Sequence, residues 1–372
     1  MRSAPPSFVP PSRLLLGPGP SPIDPRILQA FTRPTLGHLD PVFLKLMDEV
    51  RGMLKQVFRT QNELTFPVSG TGTAGMETCL VNVIEPGDEV VVCVQGYFGA
   101  RMADIAGRAG GKVTVLNAKW GEGFTPDQVE PALKGKNVKV LCLVQAETST
   151  GYNQPVKEFA ELAHKHGALI VVDAVTSTGG IPVEVDGWGI DAIYTGTQKC
   201  LGGPPGLAPI SFSPRAVEKL DQRKSKVQSW YLDMSLVRKY WGADRAYHHT
   251  APINNIYGLH ESLRIVLEEG LEARWKRHQE AHERFAKGAA ALGLDFQVQA
   301  GRRLPQLNAV KIPPGFDDKP GRKELLEKHG IEIGGGLGDL AGKVWRIGLM
   351  GYGARSEIVD QLLVALKVLL KK

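Results

Sequence analysis

Between residues 64 and 212 the chain repeats one pattern: a short apolar run rich in β-branched residues, then a window with apolar positions at helical spacing. Leu64–Val68, Glu89–Val94, Lys112–Leu116, Val138–Val144, Ala168–Val172, Asp191–Tyr194 and Leu207–Phe212 read as strands. Gly75–Ile84, Ala100–Ala109, Pro126–Leu133 and Val156–His166 read as the helices between them. Runs this uniformly apolar belong to strands buried on both faces. Strands alternating with helices therefore predict an α/β fold, with a mostly parallel seven-stranded sheet between two helical layers. A further helix fits Asp40–Phe58, where Phe43, Met47, Val50, Leu54 and Val57 recur at helical spacing.

The two ends break the pattern. Met1–Ser21 holds Pro5, Pro6, Pro10, Pro11, Pro18 and Pro20, which predicts an extended arm. After about residue 250, Tyr257–Leu292 reads as one long helical region rich in Glu, Arg, Lys and His. Strand-like Asp295–Val298 and Val310–Ile312 follow, with a helix near Arg322–Lys328. Strands near Glu332 and at Val344–Ile347 precede a final amphipathic helix, Ser356–Leu370. The expected division is an arm (1–20), a large domain (21–268) and a smaller C-terminal α+β domain (269–372).

Composition removes several function classes. No stretch approaches the ~18 apolar residues of a membrane helix. The four cysteines, at 79, 93, 142 and 200, form no CxxC, so neither a zinc knuckle nor a redox dithiol is expected, and no metal. Few cysteines, and no apolar core within Met1–Arg13, lead us to expect a cytoplasmic protein. The net charge of +6 is dispersed among acids without a basic, aromatic-flanked stripe, so no nucleic-acid partner is expected.

Three segments carry chemistry. Ser69-Gly70-Thr71-Gly72-Thr73-Ala74-Gly75 lies between a strand and a helix. Small residues there let backbone N–H groups and the positive helix end approach a phosphate. The same letters spell the dinucleotide fingerprint, but Gln95 follows the next strand where a ribose-binding acid belongs. Asp173 closes the apolar strand Ala168–Val172, at the strand end where open α/β sheets bind ligands. Lys199 follows the strand Asp191–Tyr194 in Thr195-Gly-Thr-Gln-Lys199. A phosphate cradle, a strand-end Asp and a later Lys, in this order, are what pyridoxal 5′-phosphate requires.

The chain resembles the class V aminotransferases among the fold type I pyridoxal-phosphate enzymes, most of all the alanine–glyoxylate / serine–pyruvate group. Leu14-Leu-Leu-Gly-Pro-Gly-Pro-Ser21, Gly37-His-Leu-Asp-Pro41, Ser69–Ala74 and Glu147-Thr-Ser-Thr-Gly151 carry the resemblance in the first half. Val171-Val-Asp-Ala174, Gly196-Thr-Gln-Lys199, Gly203-Pro-Pro-Gly206, Tyr247-His-His-Thr250, Gly335-Gly-Leu-Gly338 and Trp345-Arg-Ile-Gly-Leu349 extend it over nearly the whole chain.

The resemblance implies roles. Lys199 forms the Schiff base and shuttles the proton, and Asp173 pairs with the ring nitrogen. Val175 packs under the ring and Phe98 stacks on it, where relatives often have Trp. Thr71, Gly72 and Thr73 hold the phosphate with Gln198 nearby; relatives often have His at the position of Thr73. Thr148 stands near the ring's phenolic oxygen. Tyr247 and Thr250 reach the phosphate from a second subunit, which implies a homodimer with shared sites. Arg346 grips the substrate carboxylate, with Gly19 and Thr148 beside the substrate. The expected reaction moves the amino group of alanine or serine to glyoxylate or pyruvate. The alternative is (S)-ureidoglycine–glyoxylate transamination, in which Asn254 and Asn255 would offer amide contacts. A cysteine desulfurase is disfavoured, because no Cys follows residue 200.

Overall fold

The structure, a computed structural model, describes residues 4–371; the first three residues of the expected arm and Lys372 lie outside them. Seven strands form the central sheet: β1 (Leu64–Ser69), β2 (Glu89–Val94), β3 (Lys112–Asn117), β4 (Val138–Val144), β5 (Leu169–Asp173), β6 (Ala192–Tyr194) and β7 (Leu207–Phe212). Their spatial order is β1-β7-β6-β5-β4-β2-β3. The pairs from β6 across to β3 are all parallel, and β7 alone runs against its neighbours. The mostly parallel α/β sheet read from the sequence is the one observed.

Burial explains the composition of these strands. Every residue of β5, β6 and β7 is buried, whereas no residue of edge strand β3 is. Helices Pro41–Phe58, Gly72–Val83 and Tyr97–Arg108 are among those that cover the sheet. Asp40 starts the first of these by accepting from Val42 N at 2.8 Å, with Pro41 in the first turn.

A second core lies towards the C-terminus. It gathers Phe285, Trp345, Ile347, Leu362 and Leu366, with Leu16 from the N-terminal segment. Its sheet holds β8 (Leu307–Lys311), β9 (Gly334–Gly335) and β10 (Val344–Gly348), with β10 central and antiparallel to both neighbours. Leu14–Leu15 pairs parallel with Ile331–Glu332, which ties the extended N-terminal segment to this layer.

Two local readings are corrected. The long helical region is two helices, Ile253–Glu269 and Leu271–Ala291, separated by Gly270 at φ +82°. That conformation suits Gly and ends the first helix. Asp295–Val298 makes no strand; only a single bridge joins Phe296 to Val310.

Candidate active site

Five sheet strands deliver their carboxyl ends to one place. β1 leads into helix Gly72–Val83, β2 into the helix that carries Phe98, and β4 into Glu147 and Thr148. β5 ends on Asp173, and β6 runs on to Lys199. Thr71, Gly72, Thr73, Phe98, Thr148, Asp173, Val175, Gln198 and Lys199 all line one cavity of about 120 Å³, together with Met76 and Arg101. These are nine of the residues singled out in the sequence.

Lys199 is 8% exposed. Its Nζ donates to the carbonyl of Pro18, and a Cβ on Gly19 would sit 2.6 Å from Lys199 Cδ. Gly19 also has φ +100°, so the N-terminal segment can pass the lysine only with Gly there. Burial, and then the positive field of Arg346, pull the lysine down to about 8. About a tenth of its amine is therefore uncharged at pH 7, far more than for an ordinary lysine, and able to act as nucleophile or base.

Asp173 is 3% exposed. Its carboxylate accepts from Val175 N at 2.8 Å and from the Tyr194 hydroxyl at 2.9 Å. Asp173 and Tyr194 are direct partners in the β5–β6 register, which puts phenol and carboxylate side by side. Burial raises Asp173 to about 6 in spite of both donors. It remains mostly a carboxylate at neutral pH and so can hold a proton donor such as a ring N–H.

The phosphate cradle is a helix start without its own cap. Thr71 is the N-cap residue of Gly72–Val83 and makes no side-chain capping bond. The first N–H groups of a helix have no preceding carbonyl to bond, so they are available to an anion. A Cβ on Gly72 would lie 2.9 Å from Val175, so the close packing there requires Gly. Beside it, the Gln198 amide oxygen is buried without a hydrogen-bond partner. That oxygen accepts and so calls for a donor, which a phosphate dianion does not carry; the NH2 end of the amide is the one that can serve an anion. Amine, carboxylate and a helix start kept open by Gly72 together fit pyridoxal phosphate.

Arg346 sits on β10, 7% exposed. Its Nε donates to Gly335 O at 2.7 Å, and among the described residues it forms no ion pair. Burial lowers it to about 10, which leaves it charged at neutral pH. A buried guanidinium with no carboxylate partner is a ready site for a substrate carboxylate.

Tyr247 and Thr250 stand apart from this cavity. Tyr247 is 63% exposed and Thr250 is also exposed, and neither lines the cavity. Exposed Trp230 and Tyr231 lie near them, with Trp230 stacked on His248 at 4.4 Å.

Sequence reasoning missed five contributors. Tyr194 supports Asp173 as described, and the Pro18 carbonyl holds Lys199. Glu147 is wholly buried, and burial raises its carboxyl above the usual range. It accepts from Gly99 N at 3.3 Å and from Ser149 Oγ at 2.6 Å, while Ser149 Oγ accepts from Tyr97 N at 2.9 Å. This pair caps the Phe98 helix from another segment, since Gly96 supplies no cap. Arg101 borders the phosphate end. A buried Tyr that needs a hydrogen-bond partner, and an Arg three residues beyond Phe98 on a helix, were the signals available.

Known proteins agree with this geometry. The family described as "Aminotransferase class-V" matches residues 28–357. Alanine–glyoxylate aminotransferase of Rattus norvegicus is 42% identical over 361 residues, covering 96% of this chain and 87% of the relative. (S)-ureidoglycine–glyoxylate transaminase of Bacillus subtilis is 39% identical, covering 97% of this chain and 91% of the relative. The crystal structure of alanine–glyoxylate aminotransferase from Nostoc sp. superposes with a TM-score of 0.97 at 50% identity, covering 100% of this chain and 98% of that one. With 330 consecutive positions spanned by the family match, this chain belongs to the class V aminotransferase family.

Proposed function

We propose that this aminotransferase uses pyridoxal 5′-phosphate held by Lys199, and moves the amino group of alanine or serine to glyoxylate or pyruvate. The observation that carries the reading is the meeting of Lys199, Asp173 and the uncapped helix start in one cavity. When bound, the group supplies an aldehyde that takes up the amino nitrogen and a ring that withdraws electrons from the Cα–H bond. Every other part is the protein's own.

Arg346 offers its two terminal nitrogens to the substrate carboxylate and so fixes which Cα bond faces the lysine. Lys199, as a free amine, would be the base that moves the proton leaving Cα. Asp173 would keep the ring nitrogen protonated, with Val175 N and Tyr194 holding the carboxylate still. Phe98 and Val175, which line the same cavity, would hold the ring, and Thr148 would stand near its phenolic oxygen. Thr71, Gly72, Thr73 and Gln198 hold the phosphate, and Gly19 leaves room beside the lysine for a small substrate.

The active unit is a homodimer in this reading, with Tyr247 and Thr250 reaching the phosphate of the other copy. Their exposure beside Trp230 and Tyr231 supports it. The two separate cores support a large domain over 21–268 and a small one over 269–372. Four free, buried cysteines support a cytoplasmic setting. Among the described residues no helix is long and apolar enough to cross a membrane.

Ureidoglycine as donor is the second reading, favoured by the likeness to the Bacillus subtilis transaminase. Asn254 gives it little support, because both ends of its amide are engaged. Its oxygen accepts from Thr35 at 2.7 Å, and its nitrogen donates to Phe31 O and Arg33 O at 2.8 and 2.9 Å. A panel of alanine, serine and ureidoglycine against glyoxylate and pyruvate decides. Highest kcat/KM for alanine or serine upholds the first reading; highest for ureidoglycine replaces it with the second.

A further inference from the structure

Arg101 is a cation with no acid beside it. It lies one helical turn after Phe98, is partly buried, and forms no ion pair among the described residues. Its Nη1 donates to Thr73 Oγ1 at 2.9 Å. Its guanidinium carbon lies 5.0 Å from the Phe98 ring centroid and 5.2 Å from that of Tyr97. One hydrogen bond and two aromatic faces thus hold the guanidinium on the cavity wall beside Thr71, Gly72 and Thr73.

A phosphate monoester carries nearly two negative charges at neutral pH. The helix end opposite offers about half a positive charge, and the threonine hydroxyls offer none. A guanidinium fork matches phosphate oxygens in pairs and supplies a full charge. We propose that Arg101 is a phosphate-binding residue of this site, and that it makes the protein select pyridoxal phosphate over unphosphorylated pyridoxal. The proposal rests on the reading of this cavity as a pyridoxal-phosphate site.

The test compares two ligands that differ only in the phosphate. Full-length apoprotein, wild-type and Arg101→Gln, is titrated with pyridoxal phosphate and with pyridoxal, following ligand absorbance and protein fluorescence. Arg101→Gln is expected to weaken pyridoxal phosphate about 10- to 100-fold, as for loss of a charge-assisted bond, and to leave pyridoxal within about twofold. Arg101→Lys, which keeps the charge and loses the fork, is expected to fall between wild type and Arg101→Gln for pyridoxal phosphate, with pyridoxal again unchanged. Equal weakening of both ligands would mean that Arg101 only props the Phe98 helix, and would overturn the proposal. Unchanged affinity for both overturns it as well. Wild-type protein that binds neither ligand defeats the cofactor reading itself, and the proposal with it.

Discussion

Replacing Arg346 with Gln should separate binding from stability. The guanidinium is buried, spends one nitrogen on Gly335 O, and has no carboxylate partner among the described residues. Truncating one member of a buried, hydrogen-bonded charge pair costs about 2–5 kcal/mol. At about 1.4 kcal/mol per decade, kcat/KM for any carboxylate substrate should fall between about 30-fold and a few thousand-fold. The ligand-free protein should not be destabilised to match. An unpaired buried charge carries a desolvation cost, and Gln removes it. Steady-state kinetics with alanine and glyoxylate test the first half, and thermal melts of the apoprotein test the second. An amine that lacks a carboxylate should react with wild type and variant at similar rates. A kcat/KM within threefold of wild type, or an apoprotein weakened by several kcal/mol, would refute the clamp.

Other perturbations probe the remaining groups. Tyr194→Phe removes a donor to the Asp173 carboxylate and so raises that group above its present value of about 6. The acid limb of the kcat/KM–pH profile should shift upward, while Tyr194→Phe saturated at high pH recovers most activity. Gly19→Ala places a methyl 2.6 Å from Lys199 Cδ at a φ of +100°, and should abolish turnover while circular dichroism shows a folded protein. In the apoprotein, Lys199 titrates near 8 when folded against an ordinary 10.5. Between those values the unfolded chain holds the extra proton, so stability rises with pH, by up to about 3 kcal/mol. Lys199→Met should lose that rise in urea melts run from pH 8 to 10.5.

The parts that were legible in the sequence are those set by local chemistry. Strands buried on both faces announce themselves as β-branched runs, and β1 to β7 were read nearly to their ends. Asp173 and Lys199 were visible because each closes or follows such a run. Other features depend on partners far along the chain. The Pro18 carbonyl meets Lys199 across 181 positions, and nothing local marks that contact. Glu147 and Ser149 cap a helix that begins at Tyr97, a function that their own segment does not reveal. Helical periodicity also ran unbroken through Gly270, because one Gly is tolerated in a helix and only its positive φ shows the break.

Borohydride reduction of the protein after incubation with pyridoxal phosphate, followed by peptide mass spectrometry, tests the covalent centre most directly. A stoichiometric pyridoxyl adduct on the peptide carrying Lys199, absent in Lys199→Met, is the expected result. An adduct on another lysine, or none with wild-type protein, would contradict it.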